Sequence, residues 1–280
     1  MTPSIEPSHP GPSHPGPSHL APSHVVPLPV LDVRGLSKRF GSLEVTRNVS
    51  FRLEEGARCA LIGPNGAGKT TFINLISGRL TPSAGEIWIR GRNLTAMPEE
   101  ARVKAGIGRT FQITSLFRRL TIEENLALAV AEHLGVAWRL RPNRAVRARV
   151  DARVAEILAI LRLQDEPRRP VEVLPYGVQR MVELGIALAL EPKILLLDEP
   201  AAGVPREDVG IIFDAIEKLP ASMAVLLIEH DIDIVFRFAR RVAVLVSGEI
   251  LVEGTPGEIG EHAQVRALYL GESGGESGHA

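Results

Sequence analysis

The chain has 280 residues, 45% of them hydrophobic, enough for one large domain or two small ones with a real core. Lys plus Arg number 32 against 33 Asp plus Glu, so no global basic field exists to hold nucleic acid, and 4% aromatics leave few stacking platforms. The single cysteine, Cys59 in RCALIG, excludes a disulfide framework and fits a reducing compartment; no stretch approaches the roughly 18 apolar residues of a membrane span, and the N-terminus lacks the apolar core of a signal peptide.

Residues 1–29 are Pro, Ser and His in a five-residue repeat, PSHPG from Pro7 and again from Pro12, PSHLA from Pro17 and PSHVV from Pro22. Prolines at that density forbid helix and predict an extended tail. Strands are predicted at Val30 to Val33, Val49 to Leu53 and Arg58 to Ile62, a helix at Thr70 to Arg79 ended near Gly78, and a strand at Gly85 to Arg90. From Ile122 to about Leu163 the period is helical. A helix around Met181 to Leu190 follows, then a strand at Ile194 to Leu197, a helix near Asp208 to Leu219 and a strand at Ala224 to Ile228. A helix to Arg240 and strands at Val242 to Val246 and Glu249 to Val252 complete the series, and residues 271–280 read as a disordered tail. Strands alternating with helices imply a parallel sheet covered on both faces.

The stretch GPNGAGKTT, Gly63 to Thr71, follows a predicted strand and opens a predicted helix, the context a phosphate loop requires. Its glycines let backbone N–H groups curl around phosphates, and the helix N-terminus adds a favourable dipole. Lys69 reaches the outer phosphates and the Thr70 hydroxyl suits magnesium. ILLLDE, Ile194 to Glu199, is an apolar strand delivering two adjacent carboxylates at its C-terminal end, where open parallel sheets place ligands. Adjacent strand residues point oppositely, so Asp198 is available to the magnesium shell while Glu199 polarises a water. Gln112 in RTFQ and His230 in LLIEHD are weaker signals taken singly.

The order phosphate loop, Gln112, LPYGVQR, ILLLDEP, His230 resembles that of an ATP-binding cassette subunit of the ABC transporter superfamily, over about Val30 to Gly271. The resemblance implies an α/β P-loop NTPase fold: a RecA-like parallel-sheet core, an antiparallel β subdomain, and a helical subdomain at about residues 113–180 within a domain of residues 30–270. It implies a Walker A cradle of Gly63, Pro64, Asn65, Gly66, Ala67, Gly68, Lys69, Thr70 and Thr71. Phe40 would stack on adenine, and Tyr176 and Gly177 would belong to the signature loop. Glu199, His230 and Gln112 would serve the chemistry; Thr70, Gln112 and Asp198 would attend Mg2+. The wording GIGRTFQ, LFRRLTIEENL, PYG, LDEPAAG and LLIEHDIDIVF most resembles ATPase subunits of branched-chain amino acid importers, with urea and short-chain amide importers as near relatives. That class implies ATP as fuel, a second ATPase subunit, two membrane permease subunits and, indirectly, a periplasmic solute-binding protein, at the cytoplasmic face of the inner membrane and with no nucleic acid. A soluble cassette acting on ribosomes or DNA is disfavoured by the lack of a tandem cassette or coiled-coil insertion, and a GTPase by the lack of an NKxD-like segment.

Two positions depart from the pattern. The family's signature loop usually has a serine where Pro175 stands, and the loop after Walker B usually has Asp or Asn where Pro205 stands. In cassette dimers the signature loop covers ATP bound to the opposite subunit, and the residue after Walker B touches that subunit. The resemblance therefore implies a heterodimer in which this chain's own site is intact and its contribution to the partner's site is altered.

Overall fold

The computed structural model describes residues 29–110, 116–138 and 143–270. The Pro/Ser/His repeat, Gln112 and the last ten residues lie outside them. Among the described residues two sheets form. One is antiparallel in the order β2-β1-β4-β5, from β1 (Leu31–Phe40), β2 (Leu43–Leu53), β4 (Ala84–Ile89) and β5 (Arg92–Asn93). The other runs β10-β9-β3-β8-β7-β6, from β3 (Arg58–Ile62), β6 (Ile107–Arg109), β7 (Ile194–Asp198), β8 (Ala224–Ile228), β9 (Arg241–Val246) and β10 (Glu249–Gly254). Its strands pair in parallel except for the antiparallel edge strand β10.

Burial on both faces explains why the central strands read as unbroken apolar runs rather than as alternation. Along β3, Ala60 and Ile62 join one core while Cys59 and Leu61 join another; along β7, Leu195 and Leu197 separate in the same way from Ile194 and Leu196. One core holds α1 (Lys69–Ser77) against the antiparallel sheet through Phe72, Ile73, Leu75 and Ile76. The opposite core gathers α3 (Ile122–His133), α4 (Arg144–Leu161), α5 (Tyr176–Ala189), α6 (Arg206–Glu217) and α7 (Ile232–Phe238). The Cys59 thiol is enclosed, and burial pushes its pKa up to about 11, so it behaves as a small apolar side chain.

Several elements differ from the sequence expectation. The first two strands are longer and form a hairpin reaching Phe40 and Leu43; register shifts between Val33 and Leu36 and between Leu36 and Lys38 break the alternation that would have revealed them. The helical stretch from Ile122 divides: α3 stops at His133, Gly135 takes φ +66°, and α4 starts afresh with the Asn143 side chain accepting from Val146 N–H. The helix expected at Met181 begins five residues earlier, so LPYGVQR is the entry and first turn of α5 rather than a free loop. Pro175 stands at its N-cap, just before the first turn. The short β5, β6 and α2 (Glu99–Lys104) were not foreseen, having too few residues to show a period.

Arg102 in α2 is 1% exposed and has no carboxylate partner among the described residues; its guanidinium instead donates to the carbonyls of Leu75 (2.6 Å), Ile76 (2.9 Å), Thr95 (2.9 Å) and Met97 (3.0 Å). Two of these, on Leu75 and Ile76, are at the C-terminal end of α1, where a cation is favoured, and the Leu75 carbonyl also accepts from Gly78 N–H at 3.3 Å. Arg102→Leu, which removes a buried donor from all four carbonyls, is expected to cost about 2–4 kcal/mol of unfolding free energy. Urea unfolding followed by circular dichroism checks this.

Candidate functional site

Parallel pairing brings the ends of three strands to one edge. Leu61 of β3 lies opposite Ile228 of β8, and Asp198 of β7 lies opposite the same residue. The loops that leave β3, β7 and β8 there begin at Gly63, Glu199 and Glu229. This carboxyl edge is where open parallel sheets hold ligands.

The loop after β3 is close-packed from behind. A Cβ on Gly63 would run into the Leu245 carbonyl, and one on Gly68 would come within 2.7 Å of the Val45 carbonyl oxygen. Gly68 also takes φ +104° as it hands the chain to α1, so glycine is required there on two counts. The Ala67 carbonyl accepts from Gly248 N–H at 3.0 Å, tying the loop to the turn between β9 and β10. No side chain caps α1 and none of its first-turn residues is acidic, which leaves its positive end to an anion from elsewhere. Lys69 is 6% exposed, and its Nζ donates to the Gly63 carbonyl at 2.6 Å and the Pro64 carbonyl at 3.0 Å, so the ammonium lies folded across its own loop.

Val45, the loop from Asn65 to Thr71, Glu199 and His230 line a cleft of about 210 Å³. His230 Nε2 lies 2.6 Å from Glu199 Oε1, a distance at which an imidazole N–H donates to a carboxylate. Glu199 takes φ +50°, unfavourable for a residue with a Cβ, and its N–H donates to the Ile228 carbonyl at 2.9 Å. It is one of six described non-glycine residues with positive φ, Glu191 among them, and the one of these that lines the cleft with a histidine on its carboxylate.

Asp198 and Glu229 sit deeper. Burial raises the Asp198 pKa, opposed by the Arg109 guanidinium; burial raises that of Glu229, opposed by the backbone N–H groups of Ala201 and His230. Glu229 accepts those two bonds at 3.1 and 3.3 Å and so links the loop after β7 to the loop after β8. Desolvation lowers the Arg109 pKa, and Asp198 opposes it. Arg109 and Glu229 escaped the sequence reading because each is a lone charge beside an apolar strand, a pattern that carries no local signal.

The remaining expected residues fall elsewhere. Phe40 ends β1 half-exposed at the hairpin tip, with Lys38 Nζ 5.1 Å from its ring centroid, and does not line the cleft. Tyr176 and Gly177 open α5, where the Tyr176 ring lies against Gly203, Gly177 faces Asp208, and the Arg180 guanidinium stands 5.2 Å from the Tyr176 ring centroid. Pro175 and Pro205 occupy the N-caps of α5 and α6, and neither helix has a side-chain cap. These helix starts form a patch separate from the cleft. Gln112 lies outside the described residues.

The residues fit a nucleotide with a hard divalent cation. Among the described residues no set of three or more His, Cys, Asp or Glu side chains is gathered for a metal. Magnesium bound with nucleotide needs few protein oxygens, because phosphates and water complete its shell. Exposed Thr70 and the buried Asp198 carboxylate, whose Oδ1 has no hydrogen-bond partner among the described residues, supply that kind of donor.

The ABC transporter family model matches residues 46–202. The chain is 38% identical over 252 residues to the high-affinity branched-chain amino acid transport ATP-binding protein LivG of Salmonella typhimurium, covering 88% of this chain and 99% of that one. It is 35% identical over the same length to the corresponding protein BraF of Pseudomonas aeruginosa, with the same coverage. Among solved structures, the ADP conformation of MJ1267, an ATP-binding cassette of an ABC transporter, matches with a TM-score of 0.75 at 29% identity, over 87% of this chain and 99% of that one.

Proposed function

The chain belongs to the ABC transporter family and is one of its nucleotide-binding ATPases, and on that premise we propose that it powers uptake of branched-chain amino acids, or of a related small polar solute, through membrane partner subunits. The observation that carries the ATPase reading is the Glu199–His230 pair at 2.6 Å, facing the phosphate-loop cleft from the ends of two parallel strands. Full-length likeness to LivG and BraF supports the substrate class.

In this reading the loop amides from Gly63 to Thr71 and Lys69 hold the phosphates. When nucleotide enters, Lys69 Nζ exchanges the Gly63 and Pro64 carbonyls for phosphate oxygens, stronger acceptors for an ammonium. Glu199 accepts a proton from the attacking water, and His230 holds the Glu199 carboxylate in place while reading the γ-phosphate. Thr70, Asp198 and Gln112 attend Mg2+, which neutralises phosphate charge when bound. Phe40 stacks on adenine. Tyr176 and Gly177 act on nucleotide held by the partner ATPase, and closure of that pair moves the permease subunits through the segment around Gln112. The working position is then the cytoplasmic face of the membrane, consistent with the lack, among the described residues, of a helix long and apolar enough to span it.

Reconstitution tests the substrate class. Vesicles carrying permeases, the partner ATPase and this chain, supplied with the binding protein outside and ATP inside, are expected to accumulate labelled leucine. Omitting this chain should abolish accumulation. ATP-dependent uptake of labelled urea in place of leucine would move the assignment to the amide importers.

A further inference from the structure

Asp198 and Arg109 form the most enclosed ion pair described, with side chains 1% and 4% exposed and Arg109 Nη2 2.9 Å from Asp198 Oδ2. The geometry is one-pronged. A guanidinium facing a carboxylate squarely engages both oxygens, yet here Oδ1 stays buried without a hydrogen-bond partner among the described residues. The other arm of the guanidinium explains this: Arg109 Nη1 donates to Asn74 Oδ1 at 2.6 Å and to Ser77 Oγ at 3.3 Å, both on α1. These bonds turn the fork away from the carboxylate and leave its second oxygen, buried beside the cleft rather than lining it, without a hydrogen bond among the described residues.

Asn74 and Ser77 share a face of α1 with Thr70, four and seven residues upstream respectively, one and two helical turns away. The helix face that presents Thr70 therefore also holds Arg109, and Arg109 in turn holds Asp198. We propose that Arg109 is a positioning residue for the catalytic cation: a splint from α1 to β7 that fixes Asp198 relative to Thr70 and keeps Oδ1 free for the cation or its water. The proposal rests on the reading above in which Thr70 and Asp198 attend the metal. Arg109 touches neither nucleotide nor metal in this scheme. Removing it leaves the loop that holds the phosphates in place and lets Asp198 turn.

Mn2+ binding to the ADP complex of the purified full chain, followed by electron paramagnetic resonance, tests it, with ADP affinity in EDTA measured in parallel. Arg109→Ala is expected to weaken Mn2+ binding about tenfold or more, in the range typical for loss of an outer-shell partner, while metal-free ADP affinity stays within about twofold. Arg109→Lys, which keeps the charge but reaches one partner at a time, should fall between, and Asn74→Ala should lose about threefold. Equal losses of Mn2+ and metal-free ADP affinity in Arg109→Ala would make Arg109 a support of the phosphate loop and overturn the proposal. Should Arg109→Ala fail to fold, Arg109→Lys and Asn74→Ala decide, and parental Mn2+ affinity in both would overturn it. Asp198→Asn keeps the two failures apart: Mn2+ affinity lost there but retained in the Arg109 variants sinks the splint alone. Affinity retained in Asp198→Asn removes the ligand reading and the splint with it.

Discussion

Glu199→Gln is expected to lower steady-state ATP turnover about 10²–10⁴-fold, the usual contribution of a positioned general base, while equilibrium ATP binding changes little. Glutamine has nearly the same shape and accepts a hydrogen bond from His230 Nε2 through its carbonyl, so the 2.6 Å contact and the positive φ at this position have no reason to relax. What disappears is the proton acceptor. The cleft is lined by the loop from Asn65 to Thr71 as well as by Glu199 and His230, so in the proposed reading binding and chemistry fall on different residues and are expected to separate on substitution. Phosphate release and nucleotide-binding titrations on the same preparation check the split. Turnover within about threefold of the parent would transfer the base to another group, since a loss that small is below what general-base catalysis supplies.

Pro175→Ser is expected to raise ATP turnover about tenfold or more in dimers where this chain's α5 covers the catalytic nucleotide, as in a homodimer. Proline at the N-cap of α5 offers no hydroxyl to a γ-phosphate, and a hydrogen bond to a charged group is worth about 1.5–3 kcal/mol, which is roughly one to two powers of ten if felt in the transition state. The backbone at Pro175, φ −53° and ψ 150°, is the extended conformation that serine adopts readily at an N-cap, so the substitution imposes no strain. Serine would also cap its own helix, a gain of about 1 kcal/mol in stability that thermal unfolding reads separately from turnover. With a partner ATPase whose signature loop carries serine, the parent chain should turn over fast and Pro175→Ser should add little at the site built on this chain's phosphate loop. Fast turnover by the parent homodimer, unmoved by serine, would show that the start of α5 works as it stands and would remove the argument for a heterodimer.

Elements buried on both faces were legible in the sequence because they are local and continuous. RCALI, ILLLD and AVLLI occur as β3, β7 and β8 within a residue of their expected bounds, and the glycine-framed α1 ends at Gly78 as expected. The half-exposed β4 and β10 were also legible, at Gly85 to Arg90 and Glu249 to Val252, but bulged and very short elements were not. The hairpin of β1 and β2 hides behind bulges, and β6 has only Ile107–Arg109 to announce itself. The five-residue shift at the start of α5 has a similar origin: Tyr176, Gly177 and Gln179 interrupt the apolar period that makes Met181 onward visible. Leu134 to Asn143 separates two helices whose combined composition reads as one.

The sequence by itself determined the phosphate loop, the acidic end of β7 and the histidine after β8, because each is a contiguous motif whose chemistry is carried by neighbouring residues. Tertiary structure alone decided which charges meet. Glu199 and His230 are 31 positions apart and Arg109 and Asp198 are 89 apart, and each contact exists because β6, β7 and β8 lie side by side in one register. That register is set by long-range pairing and by two cores packed on opposite faces, and no local pattern in the chain encodes it. The same distinction separates Lys69, whose place in its motif was legible, from Arg109, which gained a role only when a strand of three residues was laid beside β7 and across from α1.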